Sequence, residues 1–308
     1  MCKLKKIKDA LNLSISNIVS QKENFVKDSQ KDFTRNSKLN FEDMIRILLQ
    51  AGGQPLCKEL STYFNCDVSM PTPSAFCQQR SKINFETFQY LFTDFVKSCF
   101  VSKTYKGYRI LAVDGSEIYI SRNKADHETY IPNGAGRSGW NRLHLNALYD
   151  VINHIYIDAV ITPGKKADER NSLLQMVQNL SDKTHSVIVA DRGYESYELL
   201  YSLLDMEIPF VLRFKKPGSN VSLLSKMELP CVDEFDIDLT LKVASLDSYK
   251  GKISRPQIEN EGYKLIKDQK FPFFTAECKK YTFPSFRVIK LQLGGVEPEY
   301  LVTNLSSE

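Results

Sequence analysis

No stretch of this 308-residue chain approaches the roughly 18 consecutive apolar residues that a membrane span needs, so no membrane partner is expected. Lysines stand at 3, 5, 6 and 8, but ALNLSISNIVSQ behind them is broken by Asn and Ser. It lacks the apolar centre of an export signal. Histidine is scarce, with four in the chain, at 127, 144, 154 and 185, and these show no ligand spacing to one another. The seven cysteines, at 2, 57, 66, 77, 99, 231 and 278, include no CxxC pair. That argues against a zinc module and gives no disulfide framework. An odd set of scattered thiols without an export signal fits the cytoplasm, and burial is the expected fate of such cysteines. There is no P-loop, no GxGxxG and no GxSxG, so nucleotide-dependent and serine-hydrolase chemistries have no support.

What is present is ordinary globular material: 42% hydrophobic and 25% charged residues, enough for a sizeable core and against wholesale disorder. The length suits about two domains, or one with a large insertion. The net charge of +4 is unevenly placed. Residues 1–100 hold fourteen Lys+Arg against ten Asp+Glu, and the remainder is balanced. A basic bias at one end permits nucleic-acid contact; a solvated basic surface explains it equally well.

Residues 1–100 read as helical. Ile7, Leu11, Ile15, Ile18 and Val19 recur at helical spacing, as do Phe41, Met44, Ile45, Leu48 and Leu49. Gly52-Gly53 stops the second run, and Asn84 is expected to cap a helix bearing Phe85, Phe88, Leu91, Phe92 and Phe95. Small helices of this kind suit a DNA-binding region and also any all-α domain. At about residue 105 the pattern changes. YRILAVDG reads as a strand, LHLNALYDVINHIYIDAVIT as two strands around Asn153-His154, and 167–180 as a helix. SVIVADRGY reads as a buried strand, 196–206 as a helix, and PFVLRFK as a strand. This order predicts an α/β fold with a mixed sheet over 105–215. Residues 217–298 read as a β-rich insertion, and EYLVTNL (299–305) as one last strand in the end segment 299–308.

Asp114 and Asp191 stand out because each follows an apolar strand and is itself followed closely by Gly. That position puts a carboxylate at the rim of a sheet, where ligand sites of α/β proteins lie. Two such groups on neighbouring strands suit Mg²⁺, which takes one or two carboxylates plus waters and phosphates. An Asp after a strand is also a common turn residue; it is the pair, in this element order, that favours a site. Asp150 lies at a strand–strand turn and is expected to serve the turn. The segment 122–142, with Arg137 and the only Trp, is expected to be an exposed loop whose arginines could reach phosphates. Lys165, Lys166 and Arg170 could face a DNA backbone or simply decorate a solvated helix end.

ILAVDGSEIYI, LHLNALYDV and VIVADRGYESYELL together resemble the catalytic core of bacterial insertion-sequence transposases of the DDE type. The branch is the one with a Tyr-Arg-Glu-Lys signature on its last catalytic helix. LNFEDMIRILLQAGGQPLCKEL and PSAFCQQRSKINFETFQYLF resemble its N-terminal region, so the likeness spans roughly 33–305. It implies an RNase H-like core with a β-rich insertion, in which Asp114 and Asp191 are the first two catalytic, metal-binding carboxylates. It implies Mg²⁺ (or Mn²⁺) as cofactor, and double-stranded DNA at transposon ends as partner, with a second copy or a full-length transposase beside it. Arg192 and Tyr194 match the DRGY block and, with Lys165, Lys166 and Arg137, are candidates for DNA contact.

One departure accompanies the likeness. In that branch the third carboxylate is a Glu on a helix after a strand resembling EYLVTNL, and here no Tyr…Arg…Glu…Lys segment follows that strand. Glu308 has no helix to position it, and Glu277, Glu297 and Glu299 precede the strand. The expectation from sequence is therefore a transposase chain lacking its last core helix, with no third catalytic Glu and no cutting activity of its own. The alternative is a DNA-binding or oligomerising remnant that interferes with full-length transposase.

Overall fold

The computed structural model describes residues 3–99, 103–134, 138–218, 222–252, 254–267, 271–294 and 297–307. The chain divides into two compact units, Met1–Val101 and Ser102–Glu308.

The first unit is helical: α1 (Lys3–Ser20), α2 (Phe41–Gln50), α3 (Leu56–Tyr63), α4 (Pro73–Arg80) and α5 (Glu86–Ser98). Asn40 starts α2 by accepting from the Asp43 amide, and Thr72 starts α4 by accepting from the Ala75 amide, with Pro73 at the first helical position. The apolar stripes meet in one core of Ile15, Ile18, Met44, Ile45, Leu60, Phe76 and Leu91. Asn84 does not cap α5. Its amide donates to the Phe25 carbonyl at 2.9 Å and its side chain to the Val26 carbonyl at 3.3 Å, so it ties the chain before α5 to the segment after α1. The expected burial of the cysteines does not hold either: Cys57, Cys66, Cys77, Cys231 and Cys278 are exposed and Cys99 is partly so.

The second unit begins with β1 (Arg109–Ile120), β2 (Tyr130–Ile131), β3 (Trp140–Asp150) and β4 (Ile155–Pro163). Then come α6 (Glu169–Gln178), β5 (Ser186–Ala190), α7 (Tyr197–Asp205) and β6 (Phe210–Phe214). β3 lies antiparallel between β1 and β4, while β5 joins β1, and β6 joins β5, in parallel. The order β4-β3-β1-β5-β6, with α6 crossing from β4 to β5, is the RNase H-like arrangement. The turn from β3 to β4 is fixed by Asp150, fully buried, whose carboxylate accepts from the Asn153 amide and from Arg109 Nε, both at 2.9 Å. Trp140 opens β3 and is partly buried rather than part of an exposed loop.

The β-rich stretch contributes β7 (Phe235–Leu239), β8 (Lys242–Ser245), the short helices α8 (Leu246–Tyr249) and α9 (Arg255–Asn260), β9 (Lys264–Ile266), β10 (Lys280–Thr282) and β11 (Phe286–Leu291). β12 (Glu299–Thr303) follows. These strands divide between two sheets. β12 pairs with β6, and β11 and β7 continue the large sheet beyond it, whereas β10-β8-β9 make a small sheet of their own.

The two faces of the large sheet differ. Leu111, Val113, Leu148, Ile188, Ala190, Phe210, Leu212, Phe214, Val288 and Val302 alternate onto one face. They are buried there with Leu173, Met176 and Val177 of α6 and Leu199, Leu200 and Leu203 of α7. Ala112, Ala147, Val189, Val211, Leu301 and Ile289 share the other face by register and remain partly exposed. Neighbours on β6 should therefore respond differently to truncation. Leu212→Ala, at a fully packed position, is expected to cost about 2–5 kcal/mol, and Val211→Ala about 1 kcal/mol or less; urea unfolding of the two variants measures the difference.

Candidate active site

The parallel ladder between β1 and β5 runs from Arg109 opposite Ser186 to Ala112 opposite Val189. Asp114 and Asp191 each lie two residues beyond that last pair, so period-two alternation carries both towards the same face at the same level. β1 itself does not end at Asp114. It continues to Ile120 because β3 still pairs with it, Asp114 standing opposite Ala147. Asp114 is exposed because β5 stops, not because its own strand does. Its Oδ1 accepts from the Gly115 amide at 2.8 Å. Asp191 is exposed too and caps a 3₁₀ turn over Arg192–Tyr194, its Oδ1 accepting from the Gly193 amide at 2.8 Å.

The remaining sequence candidates separate. Arg192 is exposed beside Asp191. Tyr194 is only 1% exposed, and its side chain lies in the core. Lys165 Nζ donates to the His127 carbonyl at 2.8 Å, and Lys166 is paired with Glu128. Arg170 donates to the Gly193 carbonyl at 3.2 Å, tying α6 to the turn after Asp191. Arg137 lies outside the described residues. Glu299, at the head of β12, is held by Arg213 of β6, and Arg213 stands beside Asp191 by register. The Glu299 pairing, together with the Asp191 charge, pushes the guanidinium further above its ordinary range.

Sequence reasoning missed a further carboxylate, Glu169. Asp168 caps α6 by accepting from the Asn171 amide at 3.0 Å, which makes Glu169 the first helical residue. Because β4 runs parallel to β1, the chain leaves it at the rim where Asp114 lies, and α6 starts there. Glu169 Oε1 reaches within 2.5 Å of the point a Cβ on Gly115 would occupy, and Oε2 within 3.6 Å of the corresponding point on Gly193, where Asp191 Oδ1 stands at 3.0 Å. The two glycines thus leave open the space into which the Glu169 carboxylate extends. Element order alone could have located α6's first turn at this rim, but nothing in the local sequence marks Glu169 out.

Beneath Glu169 lies a buried polar group. His144 Nε2 is 3.3 Å from Glu169 Oε1, out of line for a hydrogen bond, and 2.9 Å from the same Gly115 point. Asn146, fully buried, pairs with Gly115 across β1–β3. Its Oδ1 accepts from the Tyr194 hydroxyl at 3.4 Å, and its Nδ2 has no hydrogen-bond partner among the described residues. Burial, and then the negative charges of Glu169, Asp114 and Asp191, push the Tyr194 phenol far above its ordinary value. All three carboxylates therefore act on one hydroxyl. As donors they are hard oxygens, fitting Mg²⁺ or Mn²⁺ better than zinc. Among the described residues, no three His, Cys, Asp or Glu side chains are gathered closely enough to hold a metal ion as they stand.

The phenol gives a pH signature. A group held protonated in the folded state contributes its full stability below the unfolded tyrosine pKa of about 10 and loses it as pH rises towards the higher folded value. Tyr194→Phe should therefore flatten the alkaline fall in stability, seen as a smaller drop in Tm from about pH 9 to 11 than in the parent chain.

A family model described as "Transposase DDE domain" matches residues 105–280. That is more than half of the chain, and the chain belongs to this family. No curated protein matches it. Among solved structures it is similar to one described as a cryo-EM structure of the piggyBac transposase synaptic complex with hairpin DNA. The identity is 10% and the TM-score 0.41, over 99% of this chain and 59% of that one. The chain thus spans less than two thirds of that protein's length.

Proposed function

We propose that this member of the DDE transposase family acts in DNA transposition, with Asp114 and Asp191 as the catalytic carboxylates that hold Mg²⁺ or Mn²⁺ for phosphoryl transfer at transposon ends. The observation that carries the reading is the level placement of two exposed carboxylates beyond the last β1–β5 pair, inside the matched region. A divalent ion held there would make a water or 3′-hydroxyl a better nucleophile and stabilise the leaving oxygen. The chain's own part is to keep the two carboxylates at one level, with Gly115 and Gly193 leaving the rim unobstructed.

The finer placement, an insertion-sequence transposase of the Tyr-Arg-Glu-Lys branch, draws on the sequence blocks around Asp114 and Asp191. Double-stranded DNA is the proposed partner. Its contacts would be the excess Lys and Arg of residues 1–100 and exposed Arg192, with a second copy or a full-length transposase completing the assembly. No helix among the described residues is long and apolar enough to cross a membrane, and the cytoplasm is the proposed location.

The test uses the purified chain, Mg²⁺ or Mn²⁺, and DNA carrying the ends that flank its gene. Nicking at the 3′ ends, lost in Asp114→Asn and in Asp191→Asn, would support the transposase reading and overturn the sequence-based expectation that the chain does not cut by itself. Binding should fall roughly a thousandfold between about 50 and 200 mM salt if about six phosphates are contacted. Salt-sensitive binding without any cutting would favour the second reading, a DNA-binding or oligomerising form that interferes with an active transposase. Neither binding nor cutting would contradict both.

A further inference from the structure

We propose that Lys215 and Lys216 form a phosphate-binding subsite for the DNA backbone beside Asp191, and that buried Glu195 is the positioning residue that sets it there. The proposal rests on the reading of the rim as a DNA-processing site and adds where the strand is held.

The place of the two lysines follows from the sheet. β6 runs parallel to β5, and their ladder ends with Ala190 opposite Leu212. The chain beyond β6 therefore leaves at the rim where Asp191 emerges. Arg213 is level with Asp191, and period-two alternation carries Lys215 to the same face, about 7 Å further out. Arg213 is neutralised by Glu299. Lys215, partly buried, and Lys216, exposed, form no ion pair among the described residues. Uncompensated positive charge thus stands one step beyond the carboxylates of the rim. A nucleic-acid strand, with a negative phosphate on every nucleotide, matches that charge, and phosphate contacts are what fix a duplex in register and orientation.

Glu195 is the independent observation. It closes the 3₁₀ turn that begins at Asp191 and is 4% exposed. Burying a carboxylate is costly unless it is paired, and no cationic side chain pairs with this one among the described residues. Its Oε2 accepts from the Lys215 amide at 2.9 Å and its Oε1 from the Leu223 amide. Ser222 Oγ donates to the Lys215 carbonyl at 2.8 Å, and Gly218, at a φ of 93°, donates its amide to Ser225 Oγ at 2.9 Å. Two amides facing one side chain need two acceptor oxygens, which a carboxylate has and an amide side chain lacks. One side chain thus fastens the turn that carries Asp191 to the segment that carries the lysines. That fixes the spacing between the carboxylate rim and the phosphate contact, and fixed spacing of this kind is what holds a reacting group in line.

The experiment measures DNA binding by the whole chain across a salt series. Two fluorescent duplexes are used, one carrying the ends that flank its gene and one of unrelated sequence. Lys215→Gln combined with Lys216→Gln is expected to lower the slope of log affinity against log salt by about two, one per lost phosphate contact, equally on both duplexes. Lys215→Arg combined with Lys216→Arg is expected to keep the parent slope. Lys183→Gln, ahead of the opposite end of β5, is expected to leave it unchanged. Glu195→Gln is expected to lower the slope by about one or more, although both lysines remain. A merely structural Glu195 would lower Tm and leave the slope at its parent value, and that pattern overturns the positioning role. A parent slope in the double Gln variant overturns the subsite and leaves the aspartate rim standing, which nicking by the parent chain reads separately. No DNA binding by the parent chain contradicts the reading on which the subsite rests and removes both. Where Glu195→Gln does not fold, Ser222→Ala, which removes the hydroxyl that holds the Lys215 carbonyl, is read in its place, and a parent slope again overturns the positioning role.

Discussion

Four residue pairs between β1 and β5, from Arg109–Ser186 to Ala112–Val189, govern the rest of the active end of the molecule. A parallel ladder admits one register where a face is buried, because a slip of one residue would turn Leu111, Val113 and Ile188 out of the core and bring Ala112 and Val189 in. The burial of those side chains against α6 and α7 therefore fixes the level at which Asp114 and Asp191 emerge. The chemistry proposed for the rim is a consequence of packing below it. The carboxylates need no direct contact with each other to be held in step.

The same constraint explains the glycines and the buried polar group. α6 must return the chain from the end of β4 to the start of β5, so its first turn lies at the rim, and the positive end of the helix favours a carboxylate there. Gly115 and Gly193 let Glu169 approach the strands. Arg170, one residue on, fastens the helix to the turn after Asp191 through the Gly193 carbonyl. Tyr194 closes the floor, its hydroxyl on Asn146 and its ring in the core. DRGY is thus a structural turn: Asp191 and Arg192 are exposed, and Tyr194 anchors inward.

Much of this was legible in the sequence. The continuous apolar run at 186–190, the helical stripe Leu173–Leu174–Val177 and the turn at Asn153-His154 set the order of the core elements, and the order set the fold. What escaped the sequence were features decided by partners distant along the chain. Asp114 read as the end of a strand, yet β1 runs on because β3 pairs with it as far as Ile120. Asn84 had the chemistry of a cap but is occupied by Phe25 and Val26. Residues 217–298 read as one insertion, yet β7 and β11 join the large sheet, a pairing no local pattern announces. Tyr194 looked available for DNA because tyrosine's polar tip suits either surface or core, and only the packing decides. Glu169 passed unnoticed within a solvent-type helix start, since its approach to the strands depends on two glycines, 54 residues before it and 24 after it.

The central claim is that the β1–β5 rim is a divalent-cation site. A crystal of the chain soaked in Mn²⁺, with anomalous data at the manganese edge, tests it directly. The account predicts an anomalous peak within about 2.0–2.6 Å of carboxylate oxygens of both Asp114 and Asp191. Manganese bound only elsewhere on the chain, with the two aspartates free of it, would contradict the account.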